Sequence, residues 1–158
     1  MPPRGWTEAG NWALPGFWRL TTLRAVKIGF LGGSFDPVHF GHLLAAQDAY
    51  EQYQLDRLIL VPAAQAPLKP NDVQSSAEDR LAMLRAATEW DQRFEISDIE
   101  LRRGGISYTI DSARYFRAQF PNDTLYWIIG GDQLPKLHLW NLIQMQQLEH
   151  LQQVQQAL

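Results

Sequence analysis

Cysteine is absent from the 158 residues, which removes disulfides, thiolate metal ligands and cysteine nucleophiles and suits a reducing, cytoplasmic compartment. No stretch approaches the roughly 18 consecutive apolar residues that a membrane span needs, so no membrane association is expected. An excess of one charge is missing too. The 14 Lys and Arg against 17 Asp and Glu leave a formal charge of -3, which gives no global basic footprint for nucleic acid or an acidic lipid surface. Any anion binding must therefore be local. Histidine is sparse, with four in all, and two of them, His138 and His150, stand apart from the rest, so no histidine cluster for a metal is expected. Residues 1–25 contain arginines and tryptophans, but Glu8, Asn11, Pro15 and Gly16 interrupt the apolar stretch a secretory signal would need. They read as an N-terminal extension, either flexible or preceding the true start, with a transit peptide as the remaining alternative.

What is present is a 46% hydrophobic chain long enough for one well-buried core and too short for two ordinary domains. Val26 to Leu31 reads as a buried strand. Residues 41–54 follow as a helix, with Leu43, Leu44, Ala46 and Tyr50 at helix-compatible spacing. Leu58 to Val61, closed by Pro62, is a second apolar run without alternation, as expected of a parallel strand covered on both faces. After a proline-interrupted loop, Ser75 and Glu78 form a capping box for a helix whose Ala77, Leu81, Leu84 and Thr88 share a face. Phe94 to Leu101 reads as a strand with an irregularity near Asp98, closed by Gly104-Gly105. Ile110, Ala113, Phe116 and Phe120 line a helix that Pro121 ends, and Leu125 to Ile129 is the clearest buried strand in the chain. Strands alternating with helices argue an α/β fold, a Rossmann-like doubly wound parallel sheet with right-handed crossovers, whose ligands bind at the carboxyl ends of the strands.

One segment falls at such an end. Gly32-Gly33-Ser34-Phe35-Asp36-Pro37-Val38-His39-Phe40-Gly41-His42 links the first strand to the first helix. A strand feeding a glycine-rich turn and then a helix N-terminus aims unpaired amides and the positive end of the helix dipole at one spot, which suits a phosphate. His39 and His42, three apart at the helix opening, can add side-chain donors; the blander reading is a capping pair without chemistry. Asp36-Pro37 is a turn dipeptide, and Asp36 more naturally fixes the turn than acts as a base.

This segment closely resembles the signature of nucleotidyltransferases that carry His-x-Gly-His at the start of their first helix, in the form found in bacterial nicotinate-nucleotide adenylyltransferases. Three later segments resemble the same family in the same order: Pro67-Leu68-Lys69, Ser107-Tyr108-Thr109-Ile110-Asp111, and Gly130-Gly131-Asp132 followed by Trp140. Together they cover residues 26–140, the expected nucleotidyltransferase domain. The resemblance implies adenylyl transfer from ATP to nicotinate mononucleotide, giving deamido-NAD and pyrophosphate in NAD biosynthesis. It places His39 and His42 on the ATP phosphates as the catalytic residues. Gly33, Ser34, Phe35, Gly130 and Asp132 complete the ATP site, with the Asp132 carboxylate by the ribose. Lys69, Tyr108, Thr109, Asp111 and Trp140 form the acceptor site, where Trp140 would stack on the pyridine ring. Leu68 stands where the family usually has a histidine, which removes one phosphate donor.

Thr109 is also expected to cap the helix that follows it. Magnesium is expected with ATP, held by phosphate oxygens and waters rather than by protein ligands. A homo-oligomer is compatible with the reading. The resemblance fails over residues 141–158, a glutamine-rich segment in which Leu148, Leu151, Val154 and Leu158 suit one face of a helix. The family's fifth strand and its Ser/Thr-rich turn ending in arginine are not legible there, which suggests a C-terminally incomplete domain. Two alternatives stay open: a catalytically impaired nucleotide-binding remnant, and a nucleotidyltransferase acting on another phosphorylated acceptor.

Overall fold

A computed structural model describes residues 24–66, 75–130 and 151–155, the last stretch by its backbone. In chain order the elements are β1 (Lys27–Gly33), α1 (Phe40–Gln52), β2 (Arg57–Pro62), α2 (Ala77–Thr88), β3 (Phe94–Ile96), α3 (Ile99–Arg103), α4 (Thr109–Gln119), β4 (Thr124–Ile129) and β5 (Leu151–Gln155). The strands form one sheet in the order β3-β2-β1-β4-β5, and every pairing is parallel. The chain moves outward from β1 through β2 to β3, then returns to the other side of β1 for β4. Strand order therefore reverses between β1 and β4, and the crevice above that reversal is where a doubly wound sheet binds ligands. Among the described residues no helix is long and apolar enough to cross a membrane.

Each central strand sends alternate side chains to opposite faces, and both faces are covered. Leu31, Leu58, Leu60, Tyr126 and Ile128 join Ala46 and Ala49 of α1 and Leu84 of α2 in one buried cluster. Ile28, Phe30, Ile59, Val61, Leu125, Trp127 and Ile129 join Phe116 of α4 in the other. Phe30 is central to the second layer, with its ring centroid 4.3 Å from that of Phe116 and 5.4 Å from that of Trp127. Burial on both faces explains why these strands are continuous apolar runs rather than alternating ones.

Several expectations need correction. Phe94 to Leu101 is not one strand. Pairing stops after the Ser97 N–H donates to the Leu60 carbonyl at 2.9 Å, and Ile99–Arg103 turns into α3, stabilised where Arg102 Nε donates to Asp98 Oδ1 at 2.8 Å. The alternation that a strand requires already breaks at Asp98. The cap of α2 is shifted by one residue: Ser76, not Ser75, is the N-cap, and its hydroxyl accepts from the Asp79 N–H at 3.0 Å. On α1 the buried residues are Ala46 and Ala49, whereas Leu44 is 55% exposed. On α2 they are Arg80, Leu84 and Thr88.

The helical reading of the glutamine-rich tail also fails over residues 151–155. This stretch is β5, in register with β4 from Leu125 opposite Leu151 to Ile129 opposite Gln155. It is the fifth strand that the sequence did not reveal. Leu151 and Val154 are spaced as on a helix, but the unpaired amides and carbonyls along the edge of β4 offer a strand template, and tertiary pairing overrides that spacing.

Candidate active site

The turn after β1 is built around a buried aromatic. Phe35 adopts φ 49 with its side chain 1% exposed, in the cluster beneath α1 and α2. A non-glycine residue is held in this left-handed conformation only where its surroundings fix it, and here the buried ring supplies that anchor. Asp36 then directs its carboxylate away from the turn. Its Oδ2 accepts from the Ser75 N–H at 2.6 Å, and hydrogen bonding from Ser75 holds the Asp36 carboxyl below its ordinary range. A carboxylate committed in this way ties the loop to Ser75, just ahead of α2, rather than closing its own turn. The Asp36-Pro37 peptide is cis.

His39 is the N-cap of α1, in an extended conformation (φ -145, ψ 170). Its carbonyl accepts from the His42 N–H at 2.9 Å, and its own N–H donates to His42 Nδ1 at 3.3 Å. The neutral His42 ring therefore carries its proton on Nε2, the nitrogen left to meet a ligand. The two imidazoles lie with centroids 3.8 Å apart, and the Phe35 ring lies 4.9 Å from that of His42. His39 is exposed and His42 half-buried. Burial, with His39 as a second cause, lowers the His42 pKa from its ordinary value of 6.5. A bound polyanion would reverse that effect by favouring the imidazolium. A Cβ at Gly41 would lie 3.1 Å from the His39 ring, a tight contact that the exposed ring would have to yield by a few tenths of an ångström.

Sequence reasoning missed the residue that frames this turn. Arg80 of α2 is 2% exposed. Its Nη1 donates to the Ser34 carbonyl at 2.8 Å and to the Ala63 carbonyl at 2.7 Å, while Nε donates to the Ser75 carbonyl at 3.3 Å. One guanidinium thus joins the turn after β1, the exit of β2 and the entry to α2. The signal was available: residues 80, 84 and 88 share a helical face, but a charged residue is normally left out of an apolar stripe.

Gly33 closes β1, and its carbonyl accepts from the Ala63 N–H at 2.9 Å. Two residues past the last pair of β1 and β4, Leu31 with Ile128, the neighbouring strands have reached Gly33 and Gly130. Gly33, Ser34, Phe35, His39, His42 and Gly130 are thereby gathered at one end of two adjacent strands. The third loop arrives separately. Gly104 and Gly105 take φ 70 and φ 67, conformations that glycine adopts readily, and end α3. Ser107 then lies beside the exit of β2, its N–H donating to the Gln65 carbonyl at 2.9 Å and its hydroxyl accepting from the Ala64 N–H at 2.9 Å. Tyr108, half-exposed, is the N-cap of α4. Thr109 is not the cap but the first helical residue, because the backbone is already helical there. Asp111 sits in the first turn. Lys69, Asp132 and Trp140 lie outside the described residues.

A parallel sheet in this order, with a histidine-bearing turn at the reversal point, defines a doubly wound domain of the nucleotide-binding type. Comparison with known proteins narrows the class. The cytidylyltransferase-like family model matches residues 30–156, and the chain belongs to that family. The match runs past Trp140 and through β5. A protein of Opitutus terrae named "Probable nicotinate-nucleotide adenylyltransferase" is 87% identical over 115 residues, covering 73% of this chain and 59% of that protein. One of the same name from Aquifex aeolicus is 45% identical over 109 residues, covering 69% and 64%. The matched region thus spans about three-fifths of these relatives. The resemblance to bacterial nicotinate-nucleotide adenylyltransferases read from the motifs is accordingly shown by sequence similarity. In fold, the chain superposes on the Plasmodium falciparum nicotinic acid mononucleotide adenylyltransferase complexed with NaAD with a TM-score of 0.65 at 14% identity, covering 84% of this chain and 76% of that one.

Proposed function

We propose that this chain carries the adenylyl-transfer site of a nicotinate-nucleotide adenylyltransferase, joining ATP and nicotinate mononucleotide to give deamido-NAD and pyrophosphate. The observation that carries the reading is the pair of imidazoles, centroids 3.8 Å apart, at the N-terminus of α1. In the reaction a phosphate oxygen of the mononucleotide attacks the α-phosphorus of ATP, a new P–O bond forms, and the bond to pyrophosphate breaks with its electron pair leaving on the β-phosphate oxygen. No protein nucleophile is needed, so positioning and charge stabilisation supply the catalysis.

His42 Nε2–H and the His39 ring donate to the phosphates as negative charge moves onto the leaving group. The turn at Gly33, Ser34 and Phe35 and the first amides of α1 receive the triphosphate, and Gly130 and Asp132 hold the nucleoside end. Lys69, Tyr108, Thr109, Asp111 and Trp140 take the acceptor. Among the described residues no group of three or more His, Asp or Glu is placed to hold a metal. A magnesium ion carried on the ATP phosphate oxygens and waters would neutralise phosphate charge.

The test is pyrophosphate release from ATP with nicotinate mononucleotide, nicotinamide mononucleotide or phosphopantetheine as acceptor. Turnover with preference for the nicotinate acceptor, reduced on the order of a hundredfold or more in His42→Ala by loss of a transition-state donor, is expected. The alternative reading is nucleotide binding without turnover. ATP binding with no pyrophosphate release from any acceptor would select it.

A further inference from the structure

Ser107 is 6% exposed and immediately precedes Tyr108, the N-cap of α4, yet the reaction above gives it no role. Its hydroxyl and its amide both reach the exit of β2. The hydroxyl oxygen accepts from the Ala64 N–H at 2.9 Å, across 43 positions of chain, and the Ser107 N–H donates to the Gln65 carbonyl at 2.9 Å. Residues 65 and 106 form an isolated parallel bridge at the same place.

Three successive residues after β2 therefore divide their bonds between two loops. Ala63 serves the turn after β1, since its N–H donates to the Gly33 carbonyl at 2.9 Å and its carbonyl accepts from Arg80 Nη1 at 2.7 Å. Ala64 and Gln65 serve Ser107. On the upstream side of Ser107, Gly104 and Gly105 take positive φ in open space, where a Cβ would meet nothing within 4 Å, and Ile106 is 43% exposed. Glycine restrains its own backbone little, so the entry to α4 gains its first buried anchor at Ser107.

We infer that Ser107 is a positioning residue for the acceptor: by taking the Ala64 amide on its hydroxyl and giving its own amide to Gln65, it fixes Tyr108 and Thr109 relative to the loop that follows β2. This rests on the proposed adenylyl-transfer reading for what Tyr108 and Thr109 contact, but the staple itself is a property of the unliganded protein. Ser107 touches no substrate in this scheme. The turn proposed for ATP is tied through different bonds, those of Ala63, and is indifferent to the loss of the hydroxyl.

The experiment has two readouts on the whole chain. Ser107→Ala removes the hydroxyl and keeps the backbone N–H that bonds to Gln65. Amide hydrogen exchange without ligand should become on the order of tenfold faster at Ala64, which loses its acceptor, and stay within about twofold at Ala63, which does not. Calorimetric titration should show nicotinate mononucleotide affinity lower by roughly three- to tenfold, the scale of one lost hydrogen bond, with ATP affinity within about twofold. Should Ser107→Ala fail to fold, Ser107→Cys keeps a side chain of similar size with only a weak acceptor, and the same outcomes are expected of it.

Unchanged exchange at Ala64, equal acceleration at Ala63 and Ala64, unchanged acceptor affinity, or equal losses for both ligands would overturn the inference. Should the unmutated chain bind ATP but no nicotinate mononucleotide, the acceptor assignment fails and the positioning role with it, while exchange at Ala64 still decides whether Ser107 holds the loop.

Discussion

Arg80 reaches from α2 to the Ser34 carbonyl at 2.8 Å, so the turn proposed to receive the phosphate is held from beneath by a buried guanidinium. The same Nη1 donates to the Ala63 carbonyl at 2.7 Å. The Gly33 carbonyl, bonded to the Ala63 N–H, ties the same two loops a second time. The conformation of this turn is therefore set from outside the β1–α1 segment in which its sequence motif lies.

Arg80→Met tests that dependence. Removing the guanidinium leaves the buried Ala63 carbonyl and the part-buried Ser34 carbonyl without this donor, a loss on the order of 3 kcal/mol in unfolding free energy. Urea denaturation measures it. Nucleotide affinity should fall alongside, because the amides of the turn lose their fixed direction, and a variant with unaltered denaturation and unaltered ATP binding would show that the turn holds itself.

His42 gives stability a pH dependence of definite sign. Its folded-state pKa lies below 6.5, so near and just below that pH the unfolded chain binds more protons than the folded one. The contribution is present above pH 6.5 and is lost as pH falls through the lowered folded value. In the absence of ligand, thermal unfolding followed between pH 7.5 and 5 should show a fall for the unmutated protein that is shallower in His42→Asn. Identical slopes would place the His42 ring in ordinary solvent.

The layer beneath α4 supplies a prediction that involves stability without site chemistry. Phe116 packs against Phe30 at 4.3 Å and is 4% exposed, so Phe116→Ala should cost about 3–5 kcal/mol through lost burial and an unfilled cavity. Denaturant midpoints check this. A loss below about 1 kcal/mol would mean that the layer collapses around the gap.

Much of this architecture is legible in local pattern. Leu125 to Ile129 and Leu58 to Val61 are short, unbroken apolar runs, and both are central strands because parallel strands must be apolar on each face. The turn from Gly33 to His42 is legible because the proposed phosphate cradle draws its residue types from one segment at fixed spacing. What escaped the reading depends on partners distant in the chain. Arg80 looked like a solvated helix residue until Ser34 and Ala63 were placed beside it. Ile99 to Leu101 shared enough apolar character with Phe94 to Ile96 to pass for one strand, but the Arg102 amide and guanidinium both return to Asp98 and turn the chain into α3. β5 carries a helix-like spacing of Leu151 and Val154, and its state is fixed by pairing with β4, which no local window contains.

The central claim, that His39 and His42 meet the triphosphate, is tested most directly by nuclear magnetic resonance of the imidazole ring protons during a titration with ATP. Large shifts confined to the His39 and His42 resonances, with the His42 pKa raised on binding, are expected, while His138 and His150 should move little. Saturating ATP that leaves the His39 and His42 rings and the His42 titration unchanged would contradict it.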